Sequence, residues 1–257
     1  MLGGDKINST QWDYYAEDYH NHIISPLQKG IDNPIYNEIK KISNRKQLVV
    51  ADIGTGRGDI LPFLSENFKE VYAIDFSPKM ILVAEERNHL HKNIIFKCAD
   101  LRELTKLEKK FDVIITVNSI MLPSPAELLT AFEQIYTSIT KSGYLLGVFP
   151  SMETILYFFT LVYEREMAKY NDEKKALTMT KRIVEKKKYD FISGIFDDKG
   201  EKQKFYYKFE LFQRLTDARF NEINITKVLY PWGTAGDFSG FDDKQMMWDW
   251  FVSARKL

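Results

Sequence analysis

The stretch that decides the fold is residues 49–60, which read VVADIGTGRGDI. Its first five residues are apolar apart from Asp52, as in a buried strand, and a helical pattern begins near Ile60. Between them, three glycines alternate with other residues. Glycine permits a sharp turn and lets backbone N–H groups approach a ligand without an intervening Cβ. This strand, turn and helix therefore predict that a nucleotide-like ligand lies across the loop.

Short apolar strands alternate with helices around this loop up to about residue 150. Strand, helix and strand in repeated order predict an α/β protein with a doubly wound parallel sheet and helices on both faces. We expect seven strands, of which the last is antiparallel. The strands predicted in this part are 47–53, 70–74, 93–97, 111–117 and 143–149, and the helices are 60–67, 78–88 and 126–140.

The pattern changes after residue 150, which predicts an insertion. We expect two long helices over 154–170 and 173–188, then a hairpin over 191–207 around a turn rich in Asp and Gly. A helix over 209–218 and strands over 223–230 and 247–254 complete the sheet. The predicted organisation is a single domain with lid helices in 1–44, a core of 45–151 and 208–257, and a cap in 152–207. Such a cap would cover the carboxyl edge of the sheet, where ligands of open α/β folds bind.

Composition narrows the possible partners. The 257 residues are 44% hydrophobic and 28% charged, which is typical of a globular protein and not of a disordered or coiled-coil chain. Lys plus Arg and Asp plus Glu both total 36, so the net charge of zero favours a small-molecule partner over nucleic acid. The sequence leaves open whether the protein is a monomer or a homodimer.

Cysteine usage and hydropathy lead to an expected cytoplasmic location. Cys98 is the only cysteine, which excludes an internal disulfide framework and a multi-cysteine metal site, and we predict no metal. Residues 1–10 lack the apolar region of a secretory signal. The longest apolar stretch, 155–163, is about half of the roughly 20 residues that a membrane span needs.

The spacing of the glycines argues against two common nucleotide sites. The dinucleotide fingerprint Gly-x-Gly-x-x-Gly requires a glycine at position 59, where this chain has Asp59. A phosphate-binding P-loop is excluded because no Gly-Lys-Ser/Thr follows. Asp52 and Asp59 add negative charge beside the loop, which favours a cationic amine or sulfonium over a pyrophosphate.

Acidic residues also mark the ends of the next two predicted strands. Asp75 ends the second strand, where a carboxylate can accept hydrogen bonds from both hydroxyls of a ribose. Asp100 follows the third strand, where a carboxylate and the adjacent backbone can meet the exocyclic amine of an adenine. Three acids at three successive strand ends predict an adenosine-binding edge.

Together these residues resemble the class I S-adenosylmethionine-dependent methyltransferases, in particular those that act on small molecules. The resemblance covers about 45–150 and implies a Rossmann-like fold, S-adenosylmethionine as cofactor and S-adenosylhomocysteine as product. The segments that carry it are Asp52-x-Gly54-x-Gly56-x-Gly58, Asp75-x-Ser77-x-x-Met80, Ala99-Asp100-Leu101 and Val117-Asn118-Ser119.

The resemblance also implies which residues hold the cofactor. Asp52 and the glycine loop would hold the methionine part, Asp75 the ribose, and Phe76 and Met80 the adenine faces. The aromatic leader over 12–19 resembles a lid, from which either Tyr14 or Tyr19 would touch the methionine end. For Asn118, a cofactor contact and a hydrogen bond to its own backbone both remain open. The implied set is Tyr14, Tyr19, Asp52, Gly54, Thr55, Gly56, Gly58, Asp75, Phe76, Met80, Asp100, Leu101 and Asn118.

No catalytic base is assigned from the sequence. His20 and His22 lie in the leader, and His89 and His91 follow the second helix, where a solvated role is expected. An amine, a thiol or an acidic carbon can attack a sulfonium with little help from a base, since alignment of the reactants alone can lower the activation barrier by about 7–11 kcal/mol. Three alternatives remain. The lysine-rich helix over 174–188 suggests an RNA or protein methyltransferase. The other two are a dehydrogenase and a non-catalytic module that binds the cofactor or a partner.

Overall fold

The stretch 49–60 forms a strand, a turn and the start of a helix in the computed structural model. The structure describes residues 25–28, 30–198, 200–234 and 238–257. Tyr14, Tyr19 and most of the predicted lid lie outside these residues. The strands are β1 Val49–Ile53, β2 Glu70–Asp75, β3 Ile94–Cys98, β4 Phe111–Val117, β5 Ile139–Phe149, β6 Tyr189–Asp190, β7 Ile195–Asp198, β8 Glu201–Lys204, β9 Asn221–Tyr230 and β10 Met247–Arg255.

Helices flank these strands within the described ranges, and most begin at a recognisable cap. Ser77, Ser124 and Ser151 each accept a hydrogen bond from a backbone N–H in the first turn of the helix that follows. The helices are α1 Ile35–Lys41, α2 Leu61–Asn67, α3 Pro78–Asn88, α4 Pro125–Ser138, α5 Met152–Tyr170, α6 Glu173–Lys186 and α7 Lys208–Asp217, with short 3-10 helices at Arg45–Gln47 and Leu101–Leu107.

Seven of the strands form one sheet, in the order β3-β2-β1-β4-β5-β10-β9. β1 pairs in parallel with β2 and β4, and β10 runs antiparallel between β5 and β9. The predicted doubly wound sheet with an antiparallel last strand is confirmed. Because β10 is reversed, its first residues lie at the same edge as the carboxyl ends of β1 to β5.

Two apolar layers cover the faces of the sheet. One contains residues of α1, α2, α3 and α5, together with aromatic residues near β9, such as Trp232 and Phe241. The other contains residues of α4 and α7 and includes Trp248 and Trp250 on β10. The strands between them are almost completely buried, which explains their continuous apolar runs.

Two predicted boundaries differ from the structure. The helix predicted over 126–140 ends at Ser138, and β5 begins at Ile139 instead of residue 143. Ile139 is already extended, with φ −80° and ψ 140°, while its N–H still donates to Ile135 O. The β-branched pair Ile139 and Thr140 favours an extended backbone there, so tertiary pairing with Phe111 overrides the helical spacing.

The predicted hairpin is present as the antiparallel pair β7 and β8, and β6 adds a third strand that the sequence analysis did not predict. Residues 191–194 form a turn, because the Asp190 carboxylate accepts hydrogen bonds from the N–H groups of Ile192 and Ser193. Tyr206 leaves this small sheet and bridges to Ser151 beside β5. Its N–H donates to Pro150 O, and Met152 N–H donates to Tyr206 O, so the two ends of 152–207 meet.

No helix of the described ranges combines the length and apolarity needed to cross a bilayer.

Candidate functional site

The turn after β1 is held closely against its neighbours. The N–H groups of Gly54 and Thr55 donate to Ile74 O at 2.7 and 3.0 Å, and the Ser119 hydroxyl donates to Ile53 O at 2.8 Å. Gly54 has φ +70°, and a Cβ there would lie 2.1 Å from Ser119 Cβ. Gly56 has φ +51°, but a Cβ there would meet nothing within 4 Å. Gly54 is therefore required by packing, whereas Gly56 borders open space.

That open space is a cleft of about 1000 Å³, including its mouth, at the carboxyl edge of the sheet. Of the thirteen residues implied as cofactor contacts, eight line it: Gly54, Gly56, Asp75, Phe76, Met80, Asp100, Leu101 and Asn118. The cleft is also lined by Ile74, Ala99, Arg102, Val117, Ser119, Met121, Leu122, Glu201, Lys202 and Gln203.

Asp75 connects the end of β2 to the glycine loop. Its Oδ2 accepts a hydrogen bond from Gly56 N–H, and its Oδ1 accepts one from Ser77 N–H, both at 2.9 Å. The residue is only 6% exposed although it lines the cleft. These two bonds fix the plane of the carboxylate at the position that the sequence predicts for ribose recognition.

Asp100 is paired with Arg102, a residue that the sequence analysis did not single out. The Arg102 N–H donates to Asp100 Oδ1 at 2.8 Å, and its guanidinium contacts both carboxylate oxygens. A second nitrogen of the guanidinium donates to Glu127 on α4. Burial would raise the pKa of Asp100, but the hydrogen bonds from Arg102 outweigh it and hold this pKa below its usual range. Asp100 is therefore a fixed anion at the predicted adenine edge.

Asp52 lies beneath the loop and is not among the residues that line the cleft. It is 3% exposed, and its carboxylate accepts a hydrogen bond from the Thr55 hydroxyl at 2.6 Å. Burial raises the pKa of Asp52 to about 7; the Thr55 bond opposes this rise, and the charges of Asp75 and Asp59 add to it. Contacts of Asp52 and Thr55 with the cofactor stay predictions.

The other two residues of the loop have structural partners. The Asp59 carboxylate accepts a hydrogen bond from Arg87 at 2.7 Å, which offsets part of its charge, but that charge still contributes to the raised pKa of Asp52. Gly58 does not line the cleft. A Cβ there would lie 2.7 Å from the Asn88 amide and the Leu61 side chain, so its small size serves helix packing. A cofactor contact of Gly58 stays a prediction.

Asn118 connects the cleft to a buried carboxylate on β10. Its Nδ2 donates to Asp249 Oδ2 at 3.3 Å, and the Tyr230 hydroxyl donates to the same oxygen at 2.8 Å. Ser151 N–H donates to Asp249 Oδ1 at 3.2 Å. Burial raises the pKa of Asp249, although these three hydrogen bonds oppose the rise. Sequence reasoning missed this cluster because its members lie on four separate elements.

The cap contributes one wall of the cleft through Glu201, Lys202 and Gln203 on β8. Lys204 N–H donates to Met121 O, which attaches this strand to the segment after β4. Polar residues flanking an Asp-Gly turn signal a hairpin, but nothing in their sequence indicates which surface the hairpin covers. Cys98 is exposed at the end of β3, which is one of the two edge strands of the sheet.

The strand order, the glycine turn and the cleft at the carboxyl edge define a doubly wound α/β protein with a nucleotide-type site. Residues 50–143 match the protein family described as methyltransferase domain. The resemblance to class I S-adenosylmethionine-dependent methyltransferases is thereby confirmed.

Individual relatives agree with this assignment. A malonyl-[acyl-carrier protein] O-methyltransferase of Marinomonas sp. (strain MWYL1) is 36% identical over 101 residues, which are 38% of this chain and 36% of the relative. The chain spans less than half the length of the curated relatives it matches.

Solved structures share the fold over nearly the whole chain. The DhpI-SAM-HEP complex has a TM-score of 0.63 at 15% identity, and the match covers 99% of this chain and 100% of the chain in that structure. The N-methyltransferase NodS from Bradyrhizobium japonicum WM9, with S-adenosyl-L-homocysteine, has a TM-score of 0.59 at 12% identity and covers 95% and 98%. At these identities the likeness concerns the fold alone.

Proposed function

We propose that this protein transfers a methyl group from S-adenosylmethionine to a small-molecule acceptor and releases S-adenosylhomocysteine. The observation that carries the proposal is the single cleft that joins the ends of three successive strands. Gly54 and Gly56 follow β1, Asp75 ends β2, and Asp100 follows β3. The matched methyltransferase domain spans these same strand ends.

The residues of the cleft fit an adenosine with a short charged tail. The Asp75 carboxylate offers hydrogen-bond acceptors for ribose hydroxyls, and Phe76 and Met80 provide apolar surface for an adenine. The open space beside Gly56 lets the backbone approach a ligand. Asp75 lines the cleft and Asp52 lies beneath the loop, so the two carboxylates suit a cationic tail better than a diphosphate.

The chemistry then depends on alignment. The bound cofactor supplies a methyl group on a positively charged sulfur, which leaves as a neutral thioether. The chain holds the adenosine by Asp75 and Asp100 and orients the acceptor. This alignment of the reactants can lower the activation barrier by about 7–11 kcal/mol. Among the described residues that line the cleft, no histidine is present as a general base. This favours an amine, a thiol or an acidic carbon as the acceptor atom over a neutral alcohol.

The cap supports a small acceptor. Glu201, Lys202 and Gln203 line the same cleft that the glycine turn borders, which favours a small acceptor over a duplex or a folded protein loop. The relative NodS is named as an N-methyltransferase, and this activity comes to the present chain only as part of the proposal.

Calorimetry with S-adenosylhomocysteine tests this function. Wild-type protein is expected to bind it in a saturable way and not to bind NAD. Replacing Asp75 with Ala removes the ribose acceptor, and a lost hydrogen bond to a charged group costs about 1.5–3 kcal/mol, so affinity should fall roughly 10- to 150-fold. Asp112→Ala is the matched control, because that carboxylate accepts Val49 N–H at the opposite edge of the sheet. Equal affinity of the Asp75 variant and wild type would remove ribose recognition from the proposal.

A second candidate acceptor is a group carried on an acidic protein. One observation favours it: α6 presents exposed Lys174, Lys175, Lys181, Arg182 and Lys186. The relative from Marinomonas is named for an acyl-carrier protein substrate. Methyl transfer that falls steeply between 50 and 200 mM salt would support this candidate, whereas a salt-independent rate would support a free small molecule.

A further inference from the structure

The sheet order determines the side from which an acceptor reaches the cleft, given the proposed function on which this inference rests. The predicted ribose and adenine residues, Asp75 and Asp100, lie at the ends of β2 and β3. The tail and its methyl group would then lie over β1 and β4. The next strands in the sheet are β5, β10 and β9, so the acceptor must approach over their ends.

Asp249 occupies this side of the edge. It lies near the start of β10, where the reversed strand direction brings it to the ends of β4 and β5. Its carboxylate accepts hydrogen bonds from Asn118, which lines the cleft, and from Tyr230 and Ser151 N–H. The residue retains partial exposure, whereas Tyr230 is 6% exposed and Ser151 is fully buried. Asp249 is therefore deep in the molecule but still in contact with accessible space.

Asp249, unlike Asp59 and Asp100, has no basic partner among the described residues. Asp59 pairs with Arg87, and Asp100 pairs with Arg102. The described ranges provide no ion pair for Asp249; its hydrogen bonds come from an amide, a phenol and a backbone N–H. A buried carboxylate without a basic partner is costly, and such groups cluster at functional sites.

Unmet hydrogen-bond capacity lies next to this carboxylate. A carboxylate accepts hydrogen bonds, so Asn118 turns its Nδ2 toward Asp249. Its Oδ1 is consequently directed elsewhere and is buried with no hydrogen-bond partner among the described residues. The Asn118 Oδ1 beside this carboxylate thus lacks a donor that a ligand could supply.

The surrounding layer is aromatic. Met247 and Phe251, two residues on either side of Asp249 along β10, belong to the core layer that includes Phe158 and Trp232. Side chains alternate along a strand, so Asp249 faces this same layer. Trp232 also packs against Phe158, with ring centroids 6.4 Å apart. An anionic group beside aromatic rings is the arrangement that recognises ammonium groups.

We propose that Asp249 binds an amino group of the methyl acceptor, so that the substrate of this protein is a small amine. Asp249 supplies the negative charge, and Asn118 Oδ1 accepts a second hydrogen from the same nitrogen. Tyr230 and Ser151 hold the carboxylate in place. The inference concerns binding and orientation of the acceptor and assigns no proton transfer.

A purely structural role of Asp249 is the competing explanation. The carboxylate joins the end of β4, the start of α5 and β9, so it could serve only to attach these elements. Asp249→Asn separates the two roles, because the amide keeps an oxygen that can accept hydrogen bonds but loses the charge. A structural role predicts a change in melting temperature without a change in selectivity between charged and neutral ligands.

Ligand-observed NMR titration of the S-adenosylhomocysteine complex with benzylammonium, benzyl alcohol and benzoate tests the proposal. Wild-type protein is expected to bind benzylammonium at least tenfold more tightly than benzyl alcohol and benzoate. Asp249→Asn is expected to abolish this preference, and Asp112→Asn, at the opposite edge, to retain it.

Two outcomes would overturn the proposal: wild-type protein without a preference for the ammonium, or an Asp249→Asn variant that keeps it. If the variant does not fold, the wild-type comparison alone decides. Saturation by S-adenosylhomocysteine is measured in the same samples. A complex that forms but shows no ammonium preference contradicts only this inference, whereas a complex that does not form contradicts the proposed function.

Discussion

The two halves of the ligand edge are built in different ways. The half over β1, β2 and β3 consists of short turns in which each functional residue lies next to its own strand, such as Gly54 after β1 and Asp75 at the end of β2. The half over β5, β9 and β10 assembles side chains from distant parts of the chain, with Asn118 and Asp249 separated by 131 residues. Local spacing specifies the first half, and only the tertiary fold creates the second.

This difference follows from the kind of recognition each half provides. Turns after parallel strands present backbone N–H groups and a carboxylate at nearly constant positions, so a common nucleotide can be bound by a short motif. In the proposed function the second half recognises the methyl acceptor, and side chains from a cap and a reversed strand can be exchanged without altering the glycine turn. Substitutions in the local turns and substitutions in the segments that are distant in sequence therefore test the two halves separately.

The largest effect is expected from Gly54→Ala. Its Cβ would lie 2.1 Å from Ser119 Cβ on a backbone with φ +70°, so strain and overpacking together should cost about 2–5 kcal/mol. Thermal melting should fall by roughly 5–15 °C. Gly56→Ala is the matched control because its Cβ meets nothing within 4 Å; it should cost only about 1–2 kcal/mol. Equal losses in the two variants would show that packing does not distinguish them.

An intermediate effect is expected from the pH dependence of Asp52. Its pKa in the folded protein is raised to about 7 from 3.8, so the folded state holds a proton that the unfolded state releases. Between about pH 4 and 7 the folded state binds more protons, and the stability of the ligand-free protein should decrease as pH rises. Asp52→Asn should remove this decrease in the free energy of unfolding, which is on the order of a few kcal/mol. The variant should therefore melt at a higher temperature than wild type at pH 8.

Denaturant unfolding of both proteins at pH 5 and pH 8 measures this difference. An Asp52→Asn variant with the same pH slope as wild type would contradict the assignment. Saturating S-adenosylhomocysteine, which carries a positive amino group, is expected to reduce the slope of the wild-type protein because it favours the ionised carboxylate.

The smallest effect concerns the cap. Lys204 is 2% exposed, donates to Ser193 O at 2.7 Å and pairs with Glu210 at 2.7 Å. Replacing it with Met should cost about 1–3 kcal/mol, less than a typical buried pair, because Glu210 keeps its partner Arg214. Amide exchange should accelerate in β6, β7 and β8 and stay unchanged in β1.

The exposed pair of Lys41 and Glu38 provides the control for this change. Lys41→Ala should alter stability by less than about 0.5 kcal/mol, because surface ion pairs contribute little. Faster amide exchange in β1 of the Lys204→Met variant would mean that the cap unfolds together with the half of the edge over β1, β2 and β3.

Much of the first half could be predicted from the sequence. Strand ends, glycine spacing and acidic residues identified the turn, and together with the resemblance to the methyltransferase family they identified eight of the residues that line the cleft. Glycines at 54, 56 and 58 look alike in sequence, yet only two border the cleft, because the third packs on α3. Spacing reports backbone geometry but not which side of a turn faces a ligand.

The second half could not be predicted in the same way. Asp249 lies among Trp248 and Trp250 in a strand whose pattern indicates only burial. Its role depends on β10 running antiparallel between β5 and β9, which places it beside Tyr230 and Asn118. Arg102 was missed for a related reason, since its partner Glu127 comes from α4, which is remote in sequence.

The position of β10 has a consequence for biosynthesis. While the ribosome is still translating the segment that follows Phe149, the nascent chain already contains β1 to β5, but β5 has an unpaired edge. At about 5–20 residues per second, this edge waits several seconds or more for Met247–Arg255 to emerge. We expect chaperones to engage stalled chains of about 200 residues more strongly than complete ones, which crosslinking of arrested ribosomes would measure.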